Sequence, residues 1–346
     1  MPTPQVSAIV PARNEEANIA AAVESLAAQT VPLEIIVVND GSTDRTGALL
    51  SELQWRFRQL CVVEASEPPP GWTGKSHAVV CGIEQASGTW LLLTDADVRH
   101  QPRALETGLE TARRTGAAMV SFSPDQELST WWERAIIPFV YCRLAAEYPY
   151  ERVSSAEDSL AAANGQWLLV SRLAYNAVGA HAAVKGEVLE DVALARLLKR
   201  SGCRLLFARG VGVARTRMYR GLREMWEGWS KNLFPLFGRR RDLVAGAASG
   251  AALDTLAWLF LLLSVWGEWH GWPVSAWVPA INLGVLGWRH LRYAQALRQN
   301  RYPLRCISYY TLGSVLFAAL LADSASRYLS GEPVRWKGRQ YVVPVK

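Results

Sequence analysis

Residues 243–266 are almost wholly apolar and hold one charge, Asp254. As a helix, a run of that length can cross the ~30 Å of a bilayer's hydrocarbon. A chain that contains it is a soluble domain throughout only if the run is buried in a helical subdomain. Two further apolar stretches follow, at residues 272–288 and 306–321. Both are marginal in length, and the first contains Pro273, Pro279 and Asn282. Arg239, Arg240 and Arg241 precede the long run, and Arg289, Arg292, Arg298, Arg301 and Arg305 lie between the second and third stretches. Arginine beside apolar spans favours the cytoplasmic side. Three spans that start inside leave the C-terminus outside, yet the tail carries Arg335, Lys337, Arg339 and Lys346. One stretch is therefore expected to be re-entrant or interfacial: the proline-containing second, or the third with Asp323 near its end.

The first 215 residues have a different pattern. Residues 6–10, 33–38, 60–64, 90–94 and 118–122 are short apolar runs, expected as strands. Residues 18–29, 43–60 and 102–115 between them are expected as helices. That alternation predicts an α/β fold, a doubly wound and mostly parallel sheet with right-handed crossovers. Ligands of such sheets sit at the carboxyl ends of strands. Polar clusters fall there: residues 12–16, 39–44 and 95–97. Residues 131–150 are aromatic and lightly charged, and suit an interfacial helix or a core-facing one equally. The expected domain plan is a cytoplasmic domain at 1–237, a membrane domain at 238–330 with two to three transmembrane or re-entrant helices, and a basic tail at 331–346. Residues 1–18, with Arg13, Glu15 and Glu16, do not resemble a signal peptide.

Composition narrows the function classes. Half of the residues are hydrophobic, which excludes a mainly disordered chain. The five cysteines lack CxxC spacing, which argues against a disulfide framework and a cysteine zinc site. The net charge of +6 comes almost entirely from arginine, clustered beside apolar stretches and not along one soluble face, so nucleic acid is not an expected partner. Fifteen tryptophans suit surfaces with one apolar and one wet side.

Four motifs occur in order: VPARNEE at 10–16, VVNDGSTD at 37–44, TDAD at 94–97 and LED at 189–191. Asp95 and Asp97 follow the apolar run TWLLLT, which places both carboxylates at a strand end. A hard cation takes few carboxylates together with phosphate oxygens. Asp44 suits a helix cap, and Glu15 also suits a first-turn carboxylate. Together the motifs resemble family 2 glycosyltransferases of the GT-A fold, over the N-terminal two thirds of the chain.

That resemblance implies an inverting enzyme that takes a sugar from a nucleotide-diphosphate sugar, such as a UDP-hexose, with Mg²⁺ or Mn²⁺ as cofactor. By resemblance Asp97 is the metal ligand, Asp95 faces the ribose, and Asp40 reads the base or ribose. Pro11, Arg13 and Glu15 join the nucleotide site. Asp191 is the general base that takes the acceptor proton. Asn164, Gly165, Gln166 and Glu190 are acceptor or donor-sugar contacts, and His181 is a hydrogen-bonding loop residue.

In PPPGWTGKSHA at 68–78, Gly71 and Gly74 allow close backbone approach and Lys75 can reach a diphosphate; the plain alternative is a surface loop with an incidental lysine. It resembles a GW-x-GK element of the lipid-directed branch, among hopanoid-associated, carotenoid and ceramide glycosyltransferases. WKGR-x-Y at 336–341 resembles the same branch. Processive members carry a (Q/R)xxRW element after the base. Here Lys231 and Asn232 fall at its Arg and Trp, so Lys231 keeps a charge for the diphosphate while the polymer-holding Trp is absent. Trp226 and Trp229 suit interfacial anchors or plain packing. The resemblance thus implies a single transfer to a lipid acceptor, at the inner membrane, by a multi-pass protein with its catalytic domain in the cytoplasm. A polyprenyl-phosphate acceptor and a non-catalytic nucleotide-binding membrane module are the alternatives.

Overall fold

The computed structural model describes residues 5–341. The last expected tail cation, Lys346, lies outside the described residues. The chain forms two compact units: residues 5–127 with Tyr148–Met218, and Leu128–Glu147 with residues 219–341. The division therefore does not fall at residue 237. The helical segments at 131–147 and 222–236, expected in the first domain, belong to the second unit.

Unit 1 runs β1 (Val6–Ala12), α1 (Ile19–Ala27), β2 (Leu33–Asn39), α2 (Thr46–Arg56), β3 (Leu60–Glu64), α3 (Gly74–Gln85), β4 (Trp90–Leu93), β5 (Val98–His100), α4 (Ala104–Thr115) and β6 (Met119–Gln126). Helix α5 (Trp131–Glu147) of unit 2 interrupts it in sequence. Unit 1 resumes with α6 (Tyr150–Ser154), β7 (Leu168–Ser171), α7 (Arg172–Ala177), a 3-10 turn (Ala180–Val184), α8 (Glu190–Arg200) and β8 (Leu205–Thr216).

Eight strands form one sheet in the order β3-β2-β1-β4-β7-β6-β8-β5. The half containing β3, β2, β1 and β4 is parallel, as expected. The other half is mixed: β7 runs antiparallel to β4 and β6, and β5 antiparallel to β8. Successive strand side chains alternate faces. Val6, Ala8 and Val10 therefore pack into one core with α1, α2 and α4, while Ile9, Ile36 and Val38 enter the other core with α3 and α8.

Helix α3 begins inside the 68–78 segment, at Gly74. Thr73 caps it, its Oγ1 accepting from Ser76 N at 3.2 Å. Gly82 lets α3 sit close on the sheet: a Cβ there would lie 2.7 Å from Ile9 Cγ2 and 2.9 Å from Val38 Cγ2. The sheet therefore fixes where Lys75, in the first turn of α3, can reach.

Unit 2 contains α5, α9 (Leu222–Leu236), α10 (Arg241–Trp269), α11 (Trp277–Gln299), a 3-10 turn (Leu304–Tyr309), α12 (Tyr310–Ser330) and the antiparallel hairpin β9 (Val334–Trp336) and β10 (Arg339–Tyr341). A capping box starts α5. Glu133 accepts from the backbone N–H of Thr130, and Thr130 Oγ1 accepts from the Glu133 N–H at 3.3 Å. Most of α5 is buried, which supports its core-facing reading. Helix α12 crosses it at Gly313, where a Cβ would lie 2.5 Å from Ala135 O. On α9, Trp226 Nε1 and Ser230 Oγ both donate to Asp323 of α12, and Tyr328 OH donates to Lys231 O at 2.8 Å. Trp229 is buried against Tyr141 and Tyr219, so it packs within the unit.

Two helical segments, Arg241–Trp269 and Leu304–Ser330, are long and apolar enough to cross a membrane. The middle stretch, at 277–299, is a helix but is not one of them.

Candidate active site

Six segments of unit 1 converge on one pocket: the end of β1, the first turn of α3, the end of β4, the loop before β7, the 3-10 turn at Ala180–Val184 and the start of α8. Pro11, Lys75, Asp95, Gly165, Glu190 and Asp191 line it, with Thr94 and His181. Lys75 Nζ lies 2.7 Å from Asp95 Oδ1 and 2.9 Å from Glu190 Oε1. The carboxyl end of a sheet strand and the N-terminus of a helix are thus joined through one lysine. Desolvation works against the Lys75 charge, but Asp95, Glu190 and Asp191 together raise its pKa well above the ordinary lysine value.

Asp191 sits in the first turn of α8. Its Oδ2 accepts from Gly165 N at 2.7 Å, and its Oδ1 accepts from Val192 N at 2.8 Å. A Cβ at Gly165 would lie 3.2 Å from Asp191 Oδ2 and 3.3 Å from Lys75 Nζ, so a glycine there suits the approach of that loop to both. Burial pushes the Asp191 pKa up to about 6, and Glu190 pushes the same way. Lys75 and the two N–H donors oppose them. A carboxylate with a pKa near 6 is charged at pH 7 and accepts a proton more readily than an ordinary aspartate.

The other expected residues stand around this pocket, not in its lining. Asp40 is buried after β2, with its backbone N–H donating to Ala12 O at 2.8 Å. Arg13 Nη1 donates to Asp40 O at 2.6 Å. The Glu15 N–H donates to Thr46 Oγ1 at 2.8 Å, and Glu15 Oε2 accepts from Asn18 Nδ2 at 2.9 Å. Asn14 Oδ1 accepts from Thr43 N at 2.8 Å. The Arg13–Glu16 stretch therefore latches the loop after β1 to the loop after β2. Asp44 behaves as a cap, accepting from Thr46 N at 3.0 Å and Glu16 N at 3.1 Å.

Asn164 Oδ1 accepts from Gln166 N at 3.0 Å, and Asn164 N donates to Ser121 Oγ at 2.8 Å. Gln166 is buried, and its carbonyl accepts from Thr94 Oγ1 at 2.7 Å. Both residues thus hold the loop that carries Gly165. Lys231 belongs to unit 2.

Asp97 lies half-buried in the turn between β4 and β5. Among the described residues no group of three or more His, Cys, Asp or Glu gathers as a metal cage. A hard cation that keeps its waters and takes phosphate oxygens needs only one or two carboxylates, so the donor chemistry at Asp97 suits one.

Two side chains have tasks that the motifs do not disclose. Thr94 stands inside TDAD, and its role shows only in its contacts. Its hydroxyl proton goes to Gln166 O, so at 3.2 Å from His100 Nε2 its oxygen is the acceptor of that contact. Burial lowers the His100 pKa to about 3 and keeps the ring neutral. His181 is likewise buried, its pKa lowered to about 4, with Nδ1 at 2.7 Å from Tyr175 OH. Thr73 is the other: three residues before Ser76, it caps the helix that carries Lys75, a start signal legible in the sequence.

Comparison with known proteins gives these residues a context. The family described as Glycosyl transferase family 2 matches residues 7–169. A 4,4'-diaponeurosporenoate glycosyltransferase of Staphylococcus aureus (strain MRSA252) is 25% identical over 97% of this chain and 88% of its own length. One from Staphylococcus haemolyticus (strain JCSC1435) is 25% identical over 99% of this chain and 89% of its own. Among solved structures, a mannosyltransferase from Pyrobaculum calidifontis in complex with GDP-Man and Mn²⁺ has a TM-score of 0.53 at 17% identity, covering 94% of this chain and 87% of that one. The α/β mixed sheet of unit 1 is thus GT-A-like.

Proposed function

Because residues 7–169 make this chain a member of glycosyl transferase family 2, and the chain is a glycosyltransferase, we propose that it moves a sugar from a nucleotide-diphosphate donor to a lipid acceptor at a membrane, with inversion at the anomeric carbon. The observation that carries this reading is the junction of Asp95, Lys75, Glu190 and Asp191 in one pocket.

In the reaction, the acceptor oxygen forms a bond to the anomeric carbon as the bond from that carbon to the diphosphate oxygen breaks. The electron pair leaves with the nucleoside diphosphate. Asp191 takes the acceptor's proton; the pocket's other carboxylates, Asp95 and Glu190, are engaged by Lys75, so a single displacement is the simplest path. Lys75, held between the donor and acceptor sides, is placed to turn from Asp95 and Glu190 toward the leaving phosphate charge. Asp40 and Asp95, with Pro11 beside them, suit the nucleoside. Asp97 would hold a divalent cation, which supplies charge neutralisation at the leaving diphosphate.

A lipid acceptor is supported by the relatives' names and by the two helices long and apolar enough for a membrane. A second reading shares the same pocket. Those relatives are named for a diaponeurosporenoate, an anion, and an acceptor that is already anionic (a carboxylate, or a polyprenyl phosphate) needs no base. In that case Asp191 would orient the acceptor and not deprotonate it.

The test is incubation of the detergent-solubilised chain with a panel of UDP- and GDP-sugars, a divalent metal and lipid extracts, followed by mass spectrometry. A hexose added to a lipid supports the reading. Donor binding with no transfer or hydrolysis under any combination would overturn it in favour of a non-catalytic binding module.

A further inference from the structure

The apolar surface of unit 2 is concentrated in one place. Helices α10 and α11 run antiparallel. Ala257, Leu261 and Leu286 form a thin buried seam between them. At one end, Arg289 donates from Nε and Nη2 to the Asp254 carboxylate, and from Nη2 to Gly250 O at 3.2 Å. At the other end the chain turns on Gly267, where a Cβ would lie 2.9 Å from Val274 Cγ2. Apart from the small buried Ser264 and Gly267, the large apolar side chains outside the seam face outward: Leu262, Val265, Ile281 and Trp288 are more than half exposed, and Trp269 is 85% exposed.

Between residues 255 and 288 the ionisable side chains are Glu268 and His270, both at the tip. His270 is satisfied there, with Nδ1 at 2.8 Å from Trp266 O and its ring against the Trp266 ring. At the base the character reverses. Asp254 is wholly buried, and just beyond Arg289 helix α11 exposes Arg292, Gln295 and Arg298. Exposed arginines at that level mark water or headgroups. The level itself has the interfacial pairing of indole and cation, with the Arg292 guanidinium 5.7 Å from the Trp288 ring.

Length then decides the geometry. From Asp254 to Trp269 the helix rises ~22 Å at 1.5 Å per residue, short of the ~30 Å of hydrocarbon. Before Asp254 the outward residues of α10 are small, Ala245, Gly246, Ala248, Ser249 and Ala252, with Leu253 the exception, so the bulky apolar surface begins at the ion pair. Trp258 Nε1 donates to Thr311 Oγ1 at 2.9 Å, and α12 buries Gly313, Phe317, Leu320 and Leu321 inside unit 2. Helix α12 is therefore a packed helix of the unit, although its composition alone would let it cross a membrane.

We propose that residues 254–289 form a re-entrant helical hairpin that enters a lipid bilayer from one side and leaves on the same side, with the Asp254–Arg289 pair closing its base. The proposal rests on the membrane attachment put forward above. Its partner is acyl chain along the hairpin and headgroup at the arginine collar. It places Arg241 and Arg298 on one side of the bilayer.

The test uses the full chain in membranes, with His270→Cys and, separately, Arg298→Cys. A membrane-impermeant maleimide is applied to right-side-out and inside-out vesicles, and labelling is read peptide by peptide to separate it from the native cysteines. The proposal expects the position-298 thiol to react from the cytoplasmic side. It expects the position-270 thiol to stay unlabelled from either side until detergent is added. Labelling at 270 from the opposite side would show a crossing and overturn the hairpin. Protection at 270 that persists in detergent would overturn it in favour of a second copy of the chain covering that surface. If instead the chain leaves the membrane in an alkaline carbonate wash, membrane attachment itself fails, which is a separate result.

Discussion

In unit 1 the apolar residues fill two cores and the charges converge on a pocket; in the hairpin of unit 2 the apolar residues face outward and the charges close the base. Each region buries a carboxylate beside a cation, but the balance differs. Arg289 meets one carboxylate, Asp254, in a two-bonded geometry that leaves little charge over. Lys75 faces three, Asp95, Glu190 and Asp191, so negative charge is left in excess. A balanced pair can only hold a structure. An unbalanced cluster can take up a proton or a cation, and that is what group transfer requires.

The largest effect is expected at Asp191. Asp191→Asn keeps the size of the side chain and removes the base. Turnover should fall by about 10²–10⁴-fold, the usual worth of a positioned general base, with nucleotide affinity retained in a binding titration. Full turnover in that variant would reassign the pocket to an acceptor that arrives already ionised.

Next comes the balanced pair. Asp254→Ala leaves Arg289 without its partner, and breaking a buried pair from one side costs roughly 3–5 kcal/mol. Unfolding of the solubilised chain by denaturant should show that loss. The double change Asp254→Asn with Arg289→Gln should recover most of it, because neither charge is then stranded. A single variant as stable as the parent would mean that the pair carries no structural charge balance.

The unbalanced cluster should show itself in pH. With Asp191 at about 6, turnover should fall on the acid side of pH 6, by about tenfold per unit well below it. Stability should move the other way. The folded carboxyl has the higher pKa, so between about pH 4 and 6 the folded chain holds a proton that the unfolded chain releases. That contribution is fully present below pH 4 and is lost as pH rises toward 6. Asp191→Asn should remove both limbs together. A stability profile unchanged by the substitution would detach the two.

The two regions also differ in how much the sequence disclosed. The parallel half of the sheet was legible because residues 33–38 and 90–94 are apolar runs that end in polar motifs. The motifs named Asp95, Lys75 and Asp191 one by one; that Lys75 bridges Asp95 and Glu190 beside Asp191 is visible only in the fold. The mixed half was not legible, because β7 and β8 take their place from pairing with strands far away in sequence. Arg13 and Glu15 sit in the expected motif, and their hydrogen bonds to Asp40, Thr46 and Asn18 are a feature that only tertiary contacts make. In unit 2 apolar length was visible but its partner was not: residues 277–288 and 254–269 are each unremarkable until Arg289 meets Asp254. Likewise the packing of α12 against α5, α9 and α10 is not written in its apolar composition.

The smallest effect concerns how the unbalanced lysine is held. Thr73 Oγ1 accepts from Ser76 N, satisfying one of the open donors at the start of α3. Thr73→Ala should cost about 1 kcal/mol, as loss of a helix N-cap commonly does. Lys75 lies in that first turn and contributes its charge to the pocket from there, so fraying of the turn should move it relative to Asp95 and Glu190 while leaving Asp191 on α8 in place. The expected signature is a modest fall in melting temperature with a raised KM for the donor and an unshifted acid limb. Thr73→Ser, which keeps the acceptor oxygen, should restore both. If Thr73→Ala instead shifts the acid limb, then α3 sets the Asp191 environment directly, and the lysine and the base belong to one cooperative unit rather than to two elements that meet in the pocket.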